Sequence, residues 1–265
     1  MAELTVNLEA VLRNYRRFAE QGPVIPVLKD NAYGLGMQQV QRLLCRVGVT
    51  LFACSTPEEA LRLSGDGADV LLLSCVHEPE LLRRLAERDV ILAVESLDQA
   101  RAIEETGLPA RVHILVDTGF GRFGFLPGET EDMKAVFTLP HVRVTGIFSH
   151  FSSPAAAAEQ FAAFAGVLDE LRDYDIGLRH IAATSTAMDP RYRLDAVRIG
   201  TGLTGRYEGL EPSAELTARI CTVRRLPRGS RVGYGGARLH RDTDVAIVDA
   251  GTADGAFLRR CCGFR

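Results

Sequence analysis

Short apolar runs recur along the chain at near-regular intervals: VIPVL (24–28), TLFAC (50–54), DVLLLS (69–74), VILAVE (90–95), HILVD (113–117), VTGIFS (144–149), HIAAT (180–184) and AVRIG (196–200). Each is almost continuously apolar rather than alternating, as strands buried on both faces are. Between them lie stretches of helical period: QQVQRLLCRV (38–47), PELLRRLAER (79–88), LDQARAIEET (97–106) and AAEQFAAFAGVLDELRDY (157–174). Thr56-Pro57-Glu58-Glu59 carries a helix start, with Thr as N-cap, Pro at the first helical position and Glu three residues after the cap. Eight strand–helix alternations predict a (β/α)8 TIM-type barrel, with an open doubly wound sheet as the alternative. Beyond position 210 the pattern changes to ELTARICTVRRL, SRVGYGGARL and DVAIVDAGTADG, which alternate or are broken by glycine like antiparallel strands. The expected architecture is a barrel over 1–210, followed at 211–265 by the start of a small, truncated all-β domain.

Composition narrows the class. With 46% hydrophobic and 25% charged residues, the 265-residue chain has the content of a globular protein with a large core. A net charge of −3 and scattered basic residues exclude the electrostatic footprint of a nucleic-acid binder. The start, MAELTVNLEAVLRNY, has no signal-peptide core, and no apolar run reaches the roughly 18 residues of a membrane helix. Six cysteines (45, 54, 75, 221, 261 and 262) show no metal-ligand spacing, so no metal is expected and a reducing cytoplasm is.

Lysine is scarce. Only Lys29 and Lys134 occur, against 29 arginines, and Lys29 closes the first apolar run in VLKDNAYGLG. A coding bias toward arginine accounts for the scarcity but not for the address, since a cation ending a buried strand is usually paired or functional. An amine can lose its proton and condense with a carbonyl, which a guanidinium cannot.

In a barrel the residues that follow the strands share one mouth. That rule gathers Lys29 and Tyr33, Asp117 to Arg122, His150, Thr184 and Ser185, and Arg198 to Gly202. GFGRFG (119–124) fits G-x-G-x-x-G, but a dinucleotide site needs a helix to open within it, and Pro127-Gly128 delays one. The segment reads instead as a loop aiming Arg122 into the mouth. RIGTG (198–202) with Ser185 reads as a phosphate cradle in preference to a plain turn. His150 fits either a satisfied strand-end histidine or a site residue, and the tyrosine of VGYGG (232–236) either a hairpin or a functional group.

Taken in order, Lys29 in VLKDNAYGLG, Arg122 in VDTGFGRFG, His150 in GIFSHF, Ser185 in HIAATST, RIGTGLTG, and Tyr234 in VGYGG followed by AGTADG resemble the alanine racemases, fold type III enzymes that use pyridoxal 5′-phosphate. The resemblance runs from NLEAVLRNY to about residue 255. It implies racemisation of a small amino acid, alanine preferred, in a homodimer. Lys29 is then the Schiff-base lysine and one proton-transfer base, and Tyr234 the base on the opposite face, supplied by a partner subunit. Tyr33, Ser185, Gly200 and Thr201 hold the cofactor phosphate, and Arg198 meets the pyridine nitrogen. His150 belongs to the polar network between that arginine and the tyrosine, and Arg122 lies near the substrate carboxylate.

Two bases are required because a proton removed from one face must return from the other. Free lysine and tyrosine have pKa values of about 10.4 and 10, so neighbouring cations or desolvation must lower both near neutral pH. The sequence also departs from the family pattern. Leu115 stands where many members have a carbamylated lysine, Thr184 where an asparagine is usual, and Thr252 where a tyrosine flanks the entrance. The family's second domain normally extends further, with a Met-Asp motif that has no counterpart here. A second reading follows from that: a PLP-binding barrel with little or no racemase turnover.

Overall fold

The structure, a computed structural model, describes residues 2–65 and 67–254. These residues form two compact units: Asn7–Ser213, and a smaller unit joining the first strand to the chain from Ala214 onward. In the first unit eight strands lie in parallel: β2 (Val24–Pro26), β3 (Leu51–Cys54), β4 (Asp69–Leu72), β5 (Ile91–Val94), β6 (Ala110–Leu115), β7 (Val142–Phe148), β8 (Leu178–Ala183) and β9 (Ala196–Ile199), the strand β1 (Glu3–Val6) preceding them. Their order runs β2, β9, β8 and so on down to β3. A parallel bridge between Val27 and Ala53 joins the two ends, and the Leu28 N–H donates to the Ala53 carbonyl at 2.8 Å. The sheet is thus the expected (β/α)8 barrel, and all eight strands fall on the eight apolar runs.

The continuous apolar character of those runs has the expected cause. Ile91 to Val94 are all buried, as are Phe52 to Cys54 and Val70 to Leu72. Ile25, Val27, Ala53, Leu71, Ile91 and Ala196 pack together as one core cluster. Helices cover the outer side. Pro57–Leu63 starts on the capping box read from sequence, with Thr56 Oγ1 accepting from the Glu59 N–H at 3.2 Å and Glu59 Oε2 accepting from the Thr56 N–H at 3.1 Å. Pro79–Glu87 buries Leu82, Leu85 and Ala86, each large aliphatic contributing roughly 1.5–3 kcal/mol.

Two features of the barrel depart from an idealised one. The first is a polar inclusion: His113, His180 and Arg198 are buried in the strands, and the ladder slips in register between Val112 and His113 and between His180 and Ala183. The second is the turn after β2. Asp30, Asn31, Ala32 and Tyr33 all have φ between 53° and 56°, a left-handed turn made without glycine. Such a conformation costs about 1–2 kcal/mol per L-residue, and three contacts offset it. Glu59 Oε1 accepts from the Asp30 N–H at 2.6 Å, the Ala32 N–H donates to the Leu28 carbonyl at 2.8 Å, and Asn31 Oδ1 accepts from the Met37 N–H at 2.9 Å. One carboxylate, Glu59, therefore caps a helix and braces the turn beside Lys29.

The second unit consists of antiparallel pairs: β1 with β10 (Ala214–Thr217), β11 (Ile220–Leu226) with β14 (Thr243–Val248), and the short hairpin of β12 (Arg231–Val232) and β13 (Ala237–Arg238). A boundary at 210 places β1 in the barrel; its pairing of Val6 with Ala214 puts it with this unit instead. Cys261 and Cys262 lie outside the described residues. Among the described residues no helix is long and apolar enough to cross a membrane.

Burial and the Arg198 charge push His113 down to about 3, and burial with the same charge lowers His180 well below its ordinary value. In the unfolded chain both titrate near 6.5, so protons bind the unfolded state first and stability is lost as pH falls below that value. Urea denaturation should lose at least about 2–3 kcal/mol between pH 7.5 and 5.5, the share of these two groups, with His150, also lowered by burial, adding to it; a flat profile would contradict their neutral burial. For the turn, Ala32→Gly relieves left-handed strain, whereas Ala60→Gly in a buried right-handed helix does not. The first substitution should be at least about 1 kcal/mol less destabilising than the second in matched urea titrations.

Candidate active site

A cavity of about 340 Å³ opens where the barrel strands end. Lys29, Tyr33, Arg122, His150, Ser185, Arg198, Gly200 and Thr201 all line it, brought from positions up to 172 residues apart. The left-handed turn sets the first two. Lys29 Nζ lies 5.8 Å from the centre of the Tyr33 ring and 4.0 Å from Asp30 Oδ2. Burial, with help from the Asp30 charge, pushes the Tyr33 phenol up to about 12, so it stays protonated and can donate. A Cβ on Gly200 would collide with the Tyr33 hydroxyl, so only glycine leaves room for phenol and backbone to approach.

Arg198 forms the floor. Its Nη2 donates to the carbonyls of Ser149 at 2.7 Å and Ile181 at 3.1 Å and to Nδ1 of His150 at 3.1 Å. Its Nη1 donates to Nδ1 of His180 at 2.5 Å and to that residue's carbonyl at 3.3 Å. All these acceptors are neutral, and the guanidinium also lies over the Phe148 ring at 5.3 Å. Burial, then the Arg122 charge, pulls Arg198 below its ordinary value. His150 is driven down to about 3 by burial and then by the charges of Arg198, Arg122 and Lys29. It is neutral at physiological pH, and since Nδ1 accepts from Arg198, its proton sits on Nε2.

The glycine-rich loop after β6 is organised by one side chain. Asp117 accepts from the backbone N–H groups of Gly119, Phe120, Gly121 and Arg122 at 2.8–3.2 Å. Burial works to raise this carboxyl, and the four N–H groups outweigh it and hold it below the usual range. No helix opens within the loop; the next begins at Thr130, as the rejection of a dinucleotide site requires. Arg122 instead stacks on Phe120 at 4.5 Å and faces the cavity. Leu115, in place of a lysine, is part of an apolar wall with Ala93 and Phe148. Thr184, in place of an asparagine, accepts from the Gly202 N–H at 3.2 Å and so braces the RIGTG segment.

Tyr234 is not among the residues that line the cavity. It stands fully exposed in the hairpin between β12 and β13, in the smaller unit. Sequence reasoning missed Tyr207, which lines the cavity with its hydroxyl 3.4 Å from Thr201 Oγ1, and the buried pair His113 and His180. The histidines had a signal: both interrupt apolar strands, where an imidazole must find a partner.

Three cations, one engaged carboxylate and a glycine-edged cradle make a site suited to an anion beside a primary amine. Comparison with known proteins identifies the family. The family model for the alanine racemase N-terminal domain matches residues 6–208. An alanine racemase of Desulforamulus reducens is 34% identical over 94% of this chain and 75% of its own length. The biosynthetic alanine racemase of Pseudomonas aeruginosa superposes with a TM-score of 0.86 at 28% identity, over 96% of this chain and 76% of that one. A Bartonella henselae alanine racemase with covalently bound pyridoxal phosphate does so with a TM-score of 0.84 at 25% identity, over 96% and 76%. Lys29, Arg122, His150 and Arg198 thus meet in a barrel that matches these enzymes along nearly its whole course, and the chain belongs to the alanine racemase family.

Proposed function

We propose that the chain is a pyridoxal 5′-phosphate-dependent amino-acid racemase of the cytoplasm, working as a homodimer on a small amino acid, alanine preferred. The observation that carries this reading is the convergence of Lys29, Tyr33, Arg198 and Gly200 on one cavity. The residues suit the group: a phenol and a Cβ-less backbone form the cradle, and three cations line the walls against one carboxylate already bound to backbone. When bound, pyridoxal 5′-phosphate supplies an aldehyde for a lysine amine and a ring that withdraws electrons from the substrate α-carbon.

The residues divide the remaining work. Tyr33, Ser185, Gly200 and Thr201 bind the phosphate by hydroxyl and backbone N–H groups. Arg198 presents N–H to the ring nitrogen and, as a guanidinium, holds its proton rather than giving it up. Arg122 binds the substrate carboxylate, its plane steadied on Phe120. Lys29 moves the α-proton on one face. Tyr234 moves it on the other, and its full exposure in the single chain suits a side chain offered across a dimer. His150, neutral and hydrogen-bonded to Arg198, orients that arginine.

The test is to load the chain with pyridoxal 5′-phosphate and incubate it with L-alanine in deuterated water, following α-proton exchange and optical rotation. Exchange accompanied by loss of rotation is expected. Exchange with retained rotation would mean a single working base, and no exchange would support a binding protein without turnover. Lys29→Ala should abolish the visible band of the bound cofactor; a stoichiometric band that persists would move the attachment to another amine. Tyr234→Phe should lower racemisation about 100-fold or more, while α-proton exchange without inversion persists for the enantiomer whose proton faces Lys29; equal loss of exchange from both enantiomers would contradict a face-specific base.

A further inference from the structure

Arg198 heads a row of three buried side chains. Its Nη1 donates to Nδ1 of His180, and Nε2 of His180 lies 3.0 Å from Nδ1 of His113. A guanidinium has only donors, so Nδ1 of His180 is an acceptor and the proton of this neutral ring sits on Nε2. That N–H points at Nδ1 of His113, which therefore accepts and carries its own proton on Nε2. Both rings pack on Phe148, His180 stacked with centroids 5.0 Å apart and His113 edge-on at 6.4 Å.

The backbone makes room for this row. The register slip between Val112 and His113 sets His113 opposite Gly146, where a Cβ would come within 2.5 Å of the imidazole Cε1 and Nε2. A glycine inside an apolar strand marks a close approach of this kind. An aliphatic side chain at 113 would fill the same space without desolvating an imidazole. What the imidazole adds is an acceptor for the N–H of the fully buried His180 ring. Without that acceptor His180 is left with an unpaired donor, and rotating the ring to pair it withdraws Nδ1 from Arg198.

We propose that His113 is a positioning residue: as terminal acceptor of the Arg198–His180–His113 row it fixes the His180 ring and, through it, the guanidinium at the floor of the cavity, with Gly146 providing the room. This rests on the reading of Arg198 as the residue that faces the cofactor ring.

The test uses the full chain with His113→Asn, whose amide oxygen replaces Nδ1 as acceptor, His113→Leu, which fills the space and cannot accept, and Gly146→Ala, which displaces the ring while keeping it. Side-chain 15N spectra without cofactor should show His180 as a single Nε2–H tautomer with a slowly exchanging proton in the wild type and in His113→Asn. In His113→Leu and Gly146→Ala that signal should be lost and the Arg198 Nη signals should merge. The dissociation constant for pyridoxal 5′-phosphate should rise about tenfold or more in His113→Leu, as for a lost buried hydrogen bond, and stay within about threefold in His113→Asn. If His113→Leu does not fold, His113→Gln, whose amide reaches toward the Nε2 end instead, gives the same contrast with Asn. Identical spectra and affinities in the Asn variant and the variant unable to accept would overturn the proposal, as would a wild-type His180 protonated on Nδ1. A wild type that binds no cofactor would sink the reading of the site, while the His180 signals would still decide the row.

Discussion

The guanidinium of Arg198, sealed in the barrel core among neutral acceptors, is the constraint on which the rest of this structure depends. Taking such a charge out of water costs several kcal/mol after relaxation, and only well-placed hydrogen bonds offset it. The strands supply them: the carbonyls of Ser149, His180 and Ile181 and the imidazoles of His150 and His180 all accept from this one side chain. None of these acceptors is an acid, so the charge is held without being cancelled. The floor of the cavity stays positive, with Lys29 and Arg122 adding to the same field at its walls. An interrupted ladder between His180 and Ala183 accompanies this arrangement, so the irregularity belongs to the solvation of the arginine rather than to loose strand pairing.

Most of the barrel was legible in the sequence because parallel strands covered on both faces leave a coarse signal. The eight apolar runs became eight strands, and the capping box at Thr56 to Glu59 started a helix where it was read. The position of β1 was not legible. ELTV is short and exposed, and its place follows from pairing with residues more than two hundred positions away, which no local pattern records. The left-handed turn after Lys29 was hidden for a similar reason. Its residues are Asp, Asn, Ala and Tyr, not the glycines that announce positive φ, and it is held by Glu59 from the second βα unit.

Site residues at strand ends were found by one rule, that barrel chemistry collects where strands finish, and that rule sees only the rim. His113 and His180 lie deeper, inside β6 and β8, and were read as part of the apolar runs that contain them. Tyr207 escaped because it comes after RIGTG, in a segment with no strand or helix period to anchor it. The loop at 119–124 went the other way: its glycines match a nucleotide-binding pattern, and the proline after them showed that the helix such a pattern needs does not form there.

Asp117 has a consequence for chemistry as well as for loop shape. It is the one acid among the residues lining the cavity, and both its oxygens are occupied by backbone N–H groups of its own loop. A carboxylate so engaged is a poor proton acceptor, and it leaves a migrating proton one route fewer along this wall. The loop backbone thereby quiets the one acid on the cavity wall, using the same hydrogen bonds that shape the loop.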